Sequence, residues 1–560
     1  MKIFLAQQNY HIGNFESNTN KIIEAIKDAK SNQGDLIVFS ELCICGYPPR
    51  DFLYFNDFIE KCLQSIELIC KEANGIGVLI GAPQKNPSKL GKDLFNAAYF
   101  LFDGKIQQVI QKTCLPTYDV FDENRYFEPA TAWNLIHFKG KKIAVTICED
   151  IWNIDENPLY KICPMDMMIH QQPDLMINLS ASPFDYTHQE DRLSIIKANV
   201  LKYGIPMFYC NAVGSQTEIV FDGGSIVMDK NAQVCGQMKS FETDLKSFQL
   251  NDDNSISAET PIENISILDQ QLFPENLMPN LNIDLIYKAL VLGIKDYFSK
   301  MGFKKAILGS SGGIDSAVTL ALAVDALGKE NVTAVLMPSS FSSIHSVDDA
   351  VQLSKNLDNP YHVISIQQIN DAFLTELNPL FAGTEFGIAE ENIQSRSRGN
   401  LLMAIANKFG FILLNTSNKS ELATGYGTLY GDMAGGIGLL GDCYKMQVYA
   451  LANYINRNQE IIPNNIITKA PSAELRPNQK DSDSLPDYAV LDNILYQYIE
   501  HVKGPQEIKN LGYDTALVDR ILKMVNVNEY KRNQFCPIIR VSSKAFGVGR
   551  RMPIVGKYLS

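Results

Sequence analysis

Short apolar runs alternate with amphipathic stretches along the first part of the chain. The runs predict strands at Ile3–Gln8, Leu36–Phe39, Val78–Ala82, Ala97–Phe102, Ile106–Gln111, Ile143–Ile147, Leu175–Leu179, Met207–Cys210 and Ser225–Val227. Between the first two, Ser17–Lys30 places Ile22, Ile23, Ile26 and Ala29 on one face, the spacing of an amphipathic helix. Asp103-Gly104 and Lys139-Gly140 have the chemistry of hairpin turns. Many strands with helices between them predict a layered α/β sandwich over residues 1–245.

From about Leu245 to Asn280 the periodicity stops. Stretches such as Asn251-Asp252-Asp253-Asn254-Ser255 and Pro274-Glu275-Asn276 are polar and turn-rich, so residues 246–280 read as a linker. Beyond it, a helix at Ile283–Ser299 precedes strand Lys304–Leu308, strand Val332–Met337, helix Val347–Leu357, strand Tyr361–Ser365 and strand Phe411–Leu414. This alternation predicts a doubly wound parallel sheet in a second domain, 281–560, with its ligand site at the strand C-termini.

At 560 residues the chain is too long for one core, in line with two domains. The formal net charge of −13 argues against a nucleic-acid surface, which must neutralise phosphates. Met1–Ala6 turns polar at once, too soon for a signal peptide, and no apolar run is long enough to span a bilayer. The 11 cysteines are scattered, with Cys43-Ile44-Cys45 the one close pair, which fits a reducing cytoplasm.

The stretch Gly309-Ser310-Ser311-Gly312-Gly313-Ile314-Asp315-Ser316 joins a strand end to a helix start. Its glycines allow a tight turn and close backbone approach, and the helix N-terminus favours an anion. The hydroxyls of Ser310, Ser311 and Ser316 add donors. Asp315 would repel phosphate, and makes sense as a holder of Mg²⁺ that the phosphates share. No Lys follows the glycines, so this is not the common kinase-type loop. Ser-Gly-Gly-Ile-Asp-Ser instead resembles the pyrophosphate loop of enzymes that split ATP into AMP and pyrophosphate.

A second set of reactive residues lies in the first domain. Leu36–Phe39 leads to Glu41, Ile106–Gln111 to Lys112, and Ile143–Ile147 to Cys148. The C-termini of strands in one sheet converge, so the three side chains are expected in one pocket. A cation beside a thiol lowers its pKa from about 8.5. A Glu can take the thiol proton and later activate water, and a Lys can stabilise the oxyanion when the thiolate attacks an amide. With Leu115-Pro116-Thr117-Tyr118, Phe121-Asp122-Glu123 and Asn178–Phe184, these stretches resemble the nitrilase or carbon–nitrogen hydrolase family, whose triad is Glu-Lys-Cys. The resemblance covers most of residues 1–240 and implies a four-layer α-β-β-α sandwich. In its glutaminase branch the positions of Tyr118, Ser182 and His188 bind glutamine, the last being a basic residue as a rule.

A glutaminase joined to an ATP pyrophosphatase suits amidation of a carboxylate. In this order the two halves resemble the glutamine-dependent NAD synthetases nearly end to end, through Phe546–Arg551. That likeness implies glutamine, ATP and nicotinic acid adenine dinucleotide (deamido-NAD) as substrates, with Mg²⁺ as cofactor and a cytoplasmic homo-oligomer. It also implies a second domain of the adenine nucleotide alpha hydrolase type. By the same likeness Thr416, Lys445 and Ser472 join the loop as ATP contacts, and Asn392, Arg396, Glu421 and Lys531 contact the dinucleotide. Glu421 is also the implied Mg²⁺ ligand opposite Asp315. Leu429 departs from ammonia-dependent relatives, which carry Lys there.

Rivals fit less well. GMP synthetase uses a Cys-His-Glu glutaminase, asparagine synthetase needs a cysteine where Lys2 stands, and a tRNA-modifying enzyme needs a basic face. A non-catalytic nitrilase-like scaffold would lack one of the triad. The alternative that stays open is another amidotransferase of the ATP-pyrophosphatase type with a different acceptor.

Overall fold

The structure is a computed structural model that describes residues 1–88, 90–154, 158–258, 283–477 and 479–558. The chain divides into two compact units, Met1–Ser266 and Ile267–Ser560.

The first unit contains strands β1 (Lys2–Gln7), β2 (Leu36–Val38), β3 (Gly77–Lys85), β4 (Leu94–Phe102), β5 (Lys105–Gln111), β6 (Ile136–Phe138), β7 (Lys141–Ile147), β8 (Leu175–Ser180), β9 (Met207–Asn211), β10 (Val213–Gln216), β11 (Ile219–Asp222), β12 (Ile226–Met228), β13 (Val234–Gln237), β14 (Asp244–Leu250) and β15 (Ile256–Ala258). Among the described residues they form a seven-stranded sheet, β15-β14-β1-β2-β3-β4-β5, and a six-stranded sheet, β13-β12-β9-β8-β7-β6; β10 and β11 pair as a hairpin. The inner strands β1, β2 and β3 run parallel, as do β7, β8 and β9. Buried on both faces, they read as unbroken apolar runs.

Three apolar layers hold this unit together. Ile3, Leu5, Val38 and Leu79 of one sheet meet Val145, Ile147, Ile177 and Phe208 of the other. Helices Phe15–Ser31 and Asn56–Glu72 cover the outer face of the first sheet through Ile22, Ile26, Ile59 and Ile66. Helix His188–Tyr203 covers the second sheet through Ile196 and Val200. The result is the expected α-β-β-α order. Asn14 caps the first helix by accepting from Ser17 N. Both expected hairpin turns have positive φ at both residues: Asp103 and Gly104 between β4 and β5, and Lys139 and Gly140 between β6 and β7.

The linker reading is corrected in part. β14 lies in residues assigned by composition to the connection, yet it pairs antiparallel with β1 from Lys2↔Gln249 to Gln7↔Asp244. Its buried positions, Phe248 and Leu250, alternate with polar residues along a half-covered strand near the sheet edge, a weak signal in a polar context. β15 lies in the same stretch and pairs antiparallel with β14, from Phe248↔Ala258 to Leu250↔Ile256; residues 259–280 of the linker reading lie outside the described residues.

The second unit contains β16 (Ala306–Gly309), β17 (Val332–Leu336), β18 (Tyr361–Val363), β19 (Ile412–Asn415) and β20 (Ile437–Gly438), all parallel, in the order β18-β17-β16-β19-β20. Chain order reverses at β16, so the crevice between the ends of β16 and β19 is the topological switch point where such sheets bind ligands.

Candidate active sites

Glu41, Lys112 and Cys148 each follow a strand end, but not in a single sheet: Glu41 follows β2 and Lys112 follows β5 in the seven-stranded sheet, whereas Cys148 follows β7 in the other. The expected convergence holds because the two sheets pack face to face. Lys112 Nζ lies 2.6 Å from Glu41 Oε1. It also lies 2.7 Å from Glu123 Oε1, and all three side chains are buried. Asn96 donates to both carboxylates, at 2.7 and 3.2 Å, and Tyr47 donates to Glu123 at 2.8 Å. Burial alone would lower the Lys112 ammonium, but the charges of Glu123 and Glu41 outweigh it and hold it well above its ordinary value. Glu123 was not singled out from the sequence. It sits in a short 3-10 turn rather than at a strand end, so the pattern that marked the other three does not mark it.

Cys148 opens the 3-10 turn Cys148–Ile151 with φ +43°, a left-handed conformation that costs a non-glycine residue energy. Asp150 braces this turn. Its carboxylate accepts from Ile147 N at 3.0 Å and from Thr113 N and Cys114 N at 3.0 and 2.8 Å, tying the Cys148 turn to the Lys112 segment. Burial and then the Glu41 charge push the thiol well up, with Lys112 opposing. At rest the sulfur is therefore a protonated thiol that needs a base to become nucleophilic.

The expected glutamine contacts flank the same turn. Tyr118 donates to both oxygens of Glu149, at 3.0 and 2.9 Å, and Tyr160 donates to Oε1 at 3.1 Å. Burial raises Glu149 to about 7 against the charge of Lys112 and those hydroxyls. On the other side Ser182 Oγ is 2.7 Å from His188 Nε2, and the imidazole stacks on Trp152 at 5.0 Å. Glu149 and Trp152 are further residues the sequence reading passed over.

In the second unit the loop after β16 turns into helix Ile314–Leu327. Gly312 has φ +78°, and a Cβ there would come within 2.2 Å of Ser346 O, so only glycine fits. Ser311 Oγ accepts from Gly313 N at 3.1 Å, and Ser316 Oγ donates to Gly313 O at 3.0 Å. Asp315 accepts from Asn418 Nδ2 at 2.8 Å and from Lys445 Nζ at 2.5 Å, while Lys445 lies 3.6 Å from Glu421. Glu421 is raised to about 8 by burial and then by the charge of Asp315, against Lys445.

Loop residues Gly309, Ser310, Ser311, Gly313, Ile314, Asp315 and Ser316 line a cavity of about 310 Å³ together with Thr416, Glu421, Lys445 and Ser472. Ser472 Oγ itself donates to Gln479 O. Asn392, Arg396 and Lys531 gather at a neighbouring loop instead. Asn392 accepts from Thr428 Oγ1 at 2.7 Å, Arg396 Nε donates to Leu429 O at 3.2 Å, and Lys531 donates to Gly425 O and Gly427 O at 2.8 Å. Arg398 lines the cavity, a position the sequence reading did not single out.

Comparison with known proteins follows the same division. The carbon-nitrogen hydrolase family matches residues 2–253, and the NAD synthase family matches residues 286–535. The glutamine-dependent NAD(+) synthetase of Synechocystis sp. is 44% identical over 561 residues, covering 99% of this chain and 98% of its own. That of Thermotoga maritima is 39% identical over 580 residues, covering 100% and 99%. The solved glutamine-dependent NAD+ synthetase of Acinetobacter baumannii, in complex with adenosine diphosphate, aligns with TM-score 0.76 at 36% identity, covering 99% of this chain and 98% of its own.

Proposed function

The chain belongs to the glutamine-dependent NAD(+) synthetases, and from that membership we propose how its two sites divide the reaction. The enzyme is a carbon–nitrogen ligase with glutamine as amido donor. It hydrolyses glutamine to glutamate and ammonia, and uses ATP to amidate nicotinic acid adenine dinucleotide to NAD, with AMP and pyrophosphate as products. Among the described residues no helix is long and apolar enough to cross a membrane.

In our reading the first unit is the glutaminase. Glu41 takes the Cys148 proton as the sulfur attacks the glutamine amide carbon, and Lys112 stabilises the oxyanion. Glu41 returns the proton to the departing ammonia, then activates the water that cleaves the thioester. Tyr118, Ser182 and His188 seat the amino acid, and Glu149 receives its ammonium. The buried cluster of Lys112 with Glu41 and Glu123 carries this assignment.

The second unit is the synthetase. The acceptor carboxylate attacks the α-phosphorus of ATP in the cavity lined by the loop after β16, pyrophosphate leaves, and ammonia then displaces AMP from the acyl carbon. The loop N–H groups and Ser310, Ser311 and Ser316 bind phosphate, with Thr416, Lys445 and Ser472 around the nucleotide. Asn392, Arg396 and Lys531 hold the dinucleotide. Asp315 and Glu421 suit Mg²⁺, because two carboxylates converge on the single ammonium of Lys445 and this ion binds through one or two carboxylates plus phosphates. When bound, the ion neutralises charge on the pyrophosphate. The test is NAD formation from nicotinic acid adenine dinucleotide with either glutamine or ammonium. AMP and pyrophosphate are expected, and ADP with phosphate would refute the reading.

A further inference from the structure

Helix Ile388–Phe409 turns one stripe toward the nucleotide cavity: Ser395, Arg398, Gly399 and Leu402, the i, i+3, i+4, i+7 spacing of a single helical face. Arg398 is the charged member of that stripe. Its Nε donates to Met337 O at 3.0 Å, which fixes the plane of the guanidinium against the end of β17. Among the described residues Arg398 forms no ion pair.

Two carboxylates are close enough for their charge to reach it, Asp432 and Glu474. Each has another partner. Asp432 accepts from Thr428 N at 2.6 Å, and Glu474 accepts from the hydroxyls of Ser343 and Ser346 at 2.9 and 2.7 Å. Burial accordingly outweighs their pull and brings the guanidinium down to about 10. Lys445 in the same cavity is in the opposite position, matched by Asp315 and Glu421. A cation held at a cavity wall without a carboxylate partner is stabilised by an anion from outside, and a guanidinium grips phosphate or carboxylate oxygens with two parallel donors.

Resting on the reading of this cavity as the adenylation site, we propose that Arg398 is a further catalytic residue there, its free N–H groups holding an anionic oxygen of the reacting substrates. That oxygen belongs either to the nucleotide phosphate under attack or to the carboxylate that attacks it. A carboxylate oxygen–phosphorus bond forms, the bond to pyrophosphate breaks, and the electron pair leaves on pyrophosphate. Arg398 neither gives nor takes a proton; it offsets charge that builds as the two anions meet.

The test uses the full chain with Arg398→Gln and Arg398→Lys. Four rates are read: synthesis with ammonium, synthesis with glutamine, acceptor-dependent exchange of labelled pyrophosphate into ATP, and basal glutamine hydrolysis without ATP or acceptor. In R398Q, kcat for exchange and for both syntheses is expected to fall about 100-fold, the usual loss for one such donor. Basal hydrolysis at the Cys148 site persists, which excludes global misfolding, and R398K recovers part of the exchange. A raised KM for ATP alone identifies the phosphate as the partner, and a raised KM for the dinucleotide alone identifies the carboxylate. R398Q exchanging at the unsubstituted rate with both KM values unchanged would overturn the proposal alone. No acceptor-dependent exchange in the unsubstituted protein would overturn it together with the adenylation reading.

Discussion

Lys112 donates to Glu123 at 2.7 Å from the same buried ammonium that meets Glu41 at 2.6 Å. One cation thus serves two carboxylates, and Glu123 is pushed up chiefly by burial, with Lys112 opposing. Glu123→Gln keeps the shape and removes one charge. Lys112 then has a single anionic partner, and its orientation toward the oxyanion loosens. Glutamine-supported synthesis is expected to fall roughly 10²- to 10³-fold in kcat, in the range of one proton-transfer or oxyanion partner, with ammonium-supported synthesis unchanged. Steady-state kinetics with the two nitrogen sources check this, and equal losses with both would place Glu123 outside the glutaminase chemistry.

Cys148 adopts φ +43° at the mouth of a turn pinned by Asp150. Such strain suits a nucleophile held out of regular structure. Cys148→Ala should abolish glutamine-supported synthesis and leave ammonium-supported synthesis intact. Glutamate release persisting in the variant, measured without ATP, would show that another group attacks the amide.

Much of this was legible in the chain, for identifiable reasons. The strand ends that carry Glu41 and Cys148, and the Gly312-Gly313 loop, announce themselves because buried parallel strands are unbroken apolar runs that stop where chemistry begins. Lys112 instead follows β5, an edge strand paired antiparallel with β4, and is marked by the hairpin that leads into it. What the pattern hides is the sheet to which each strand belongs. Cys148 comes from the second sheet, and only the packing of Val38 and Leu79 on Ile147 and Ile177 brings it near Lys112. Glu123, Glu149 and Arg398 were hidden for another reason. A charged residue in a turn or on a helix reads as solvated until tertiary contacts show it buried, as Glu123 and Glu149 are, or half-buried at a cavity wall, as Arg398 is. β14 escapes the pattern because only Phe248 and Leu250 are buried along it, between polar neighbours.

Glu149 gives a pH signature. Its carboxyl stands at about 7 in the fold against an ordinary 4.5, with burial as the cause. The folded state therefore binds its proton more tightly than the unfolded chain. The associated stability is fully present below about pH 4.5 and is lost as the pH rises through 7, a difference on the order of 3 kcal/mol. Glu149→Gln removes this dependence, so the stability of the variant relative to the parent should rise between pH 4.5 and 8. Urea denaturation of both proteins at the two pH values provides the comparison. A constant difference would mean that Glu149 is not held protonated by its surroundings.

Asp315 and Glu421 make the corresponding argument for the metal. Glu421 stands at about 8 because burial and the charge of Asp315 both disfavour its ionised form, while Lys445 offsets only part of that. At pH 7 it therefore carries its proton much of the time. Mg²⁺ bound beside ATP would reverse the balance, since a divalent cation favours both carboxylates in ionised form. Binding of ATP with Mg²⁺ should then release a proton near pH 7, and calorimetry in buffers of different ionisation enthalpy would register it. Glu421→Gln should bind nucleotide without that release. Asp315→Ala should abolish synthesis with glutamine and with ammonium alike, because no adenylate forms, while basal glutamine hydrolysis continues. A variant at Asp315 that fails only with glutamine, or a parent protein that binds ATP and Mg²⁺ with no proton release, would remove both residues from the metal's ligand set.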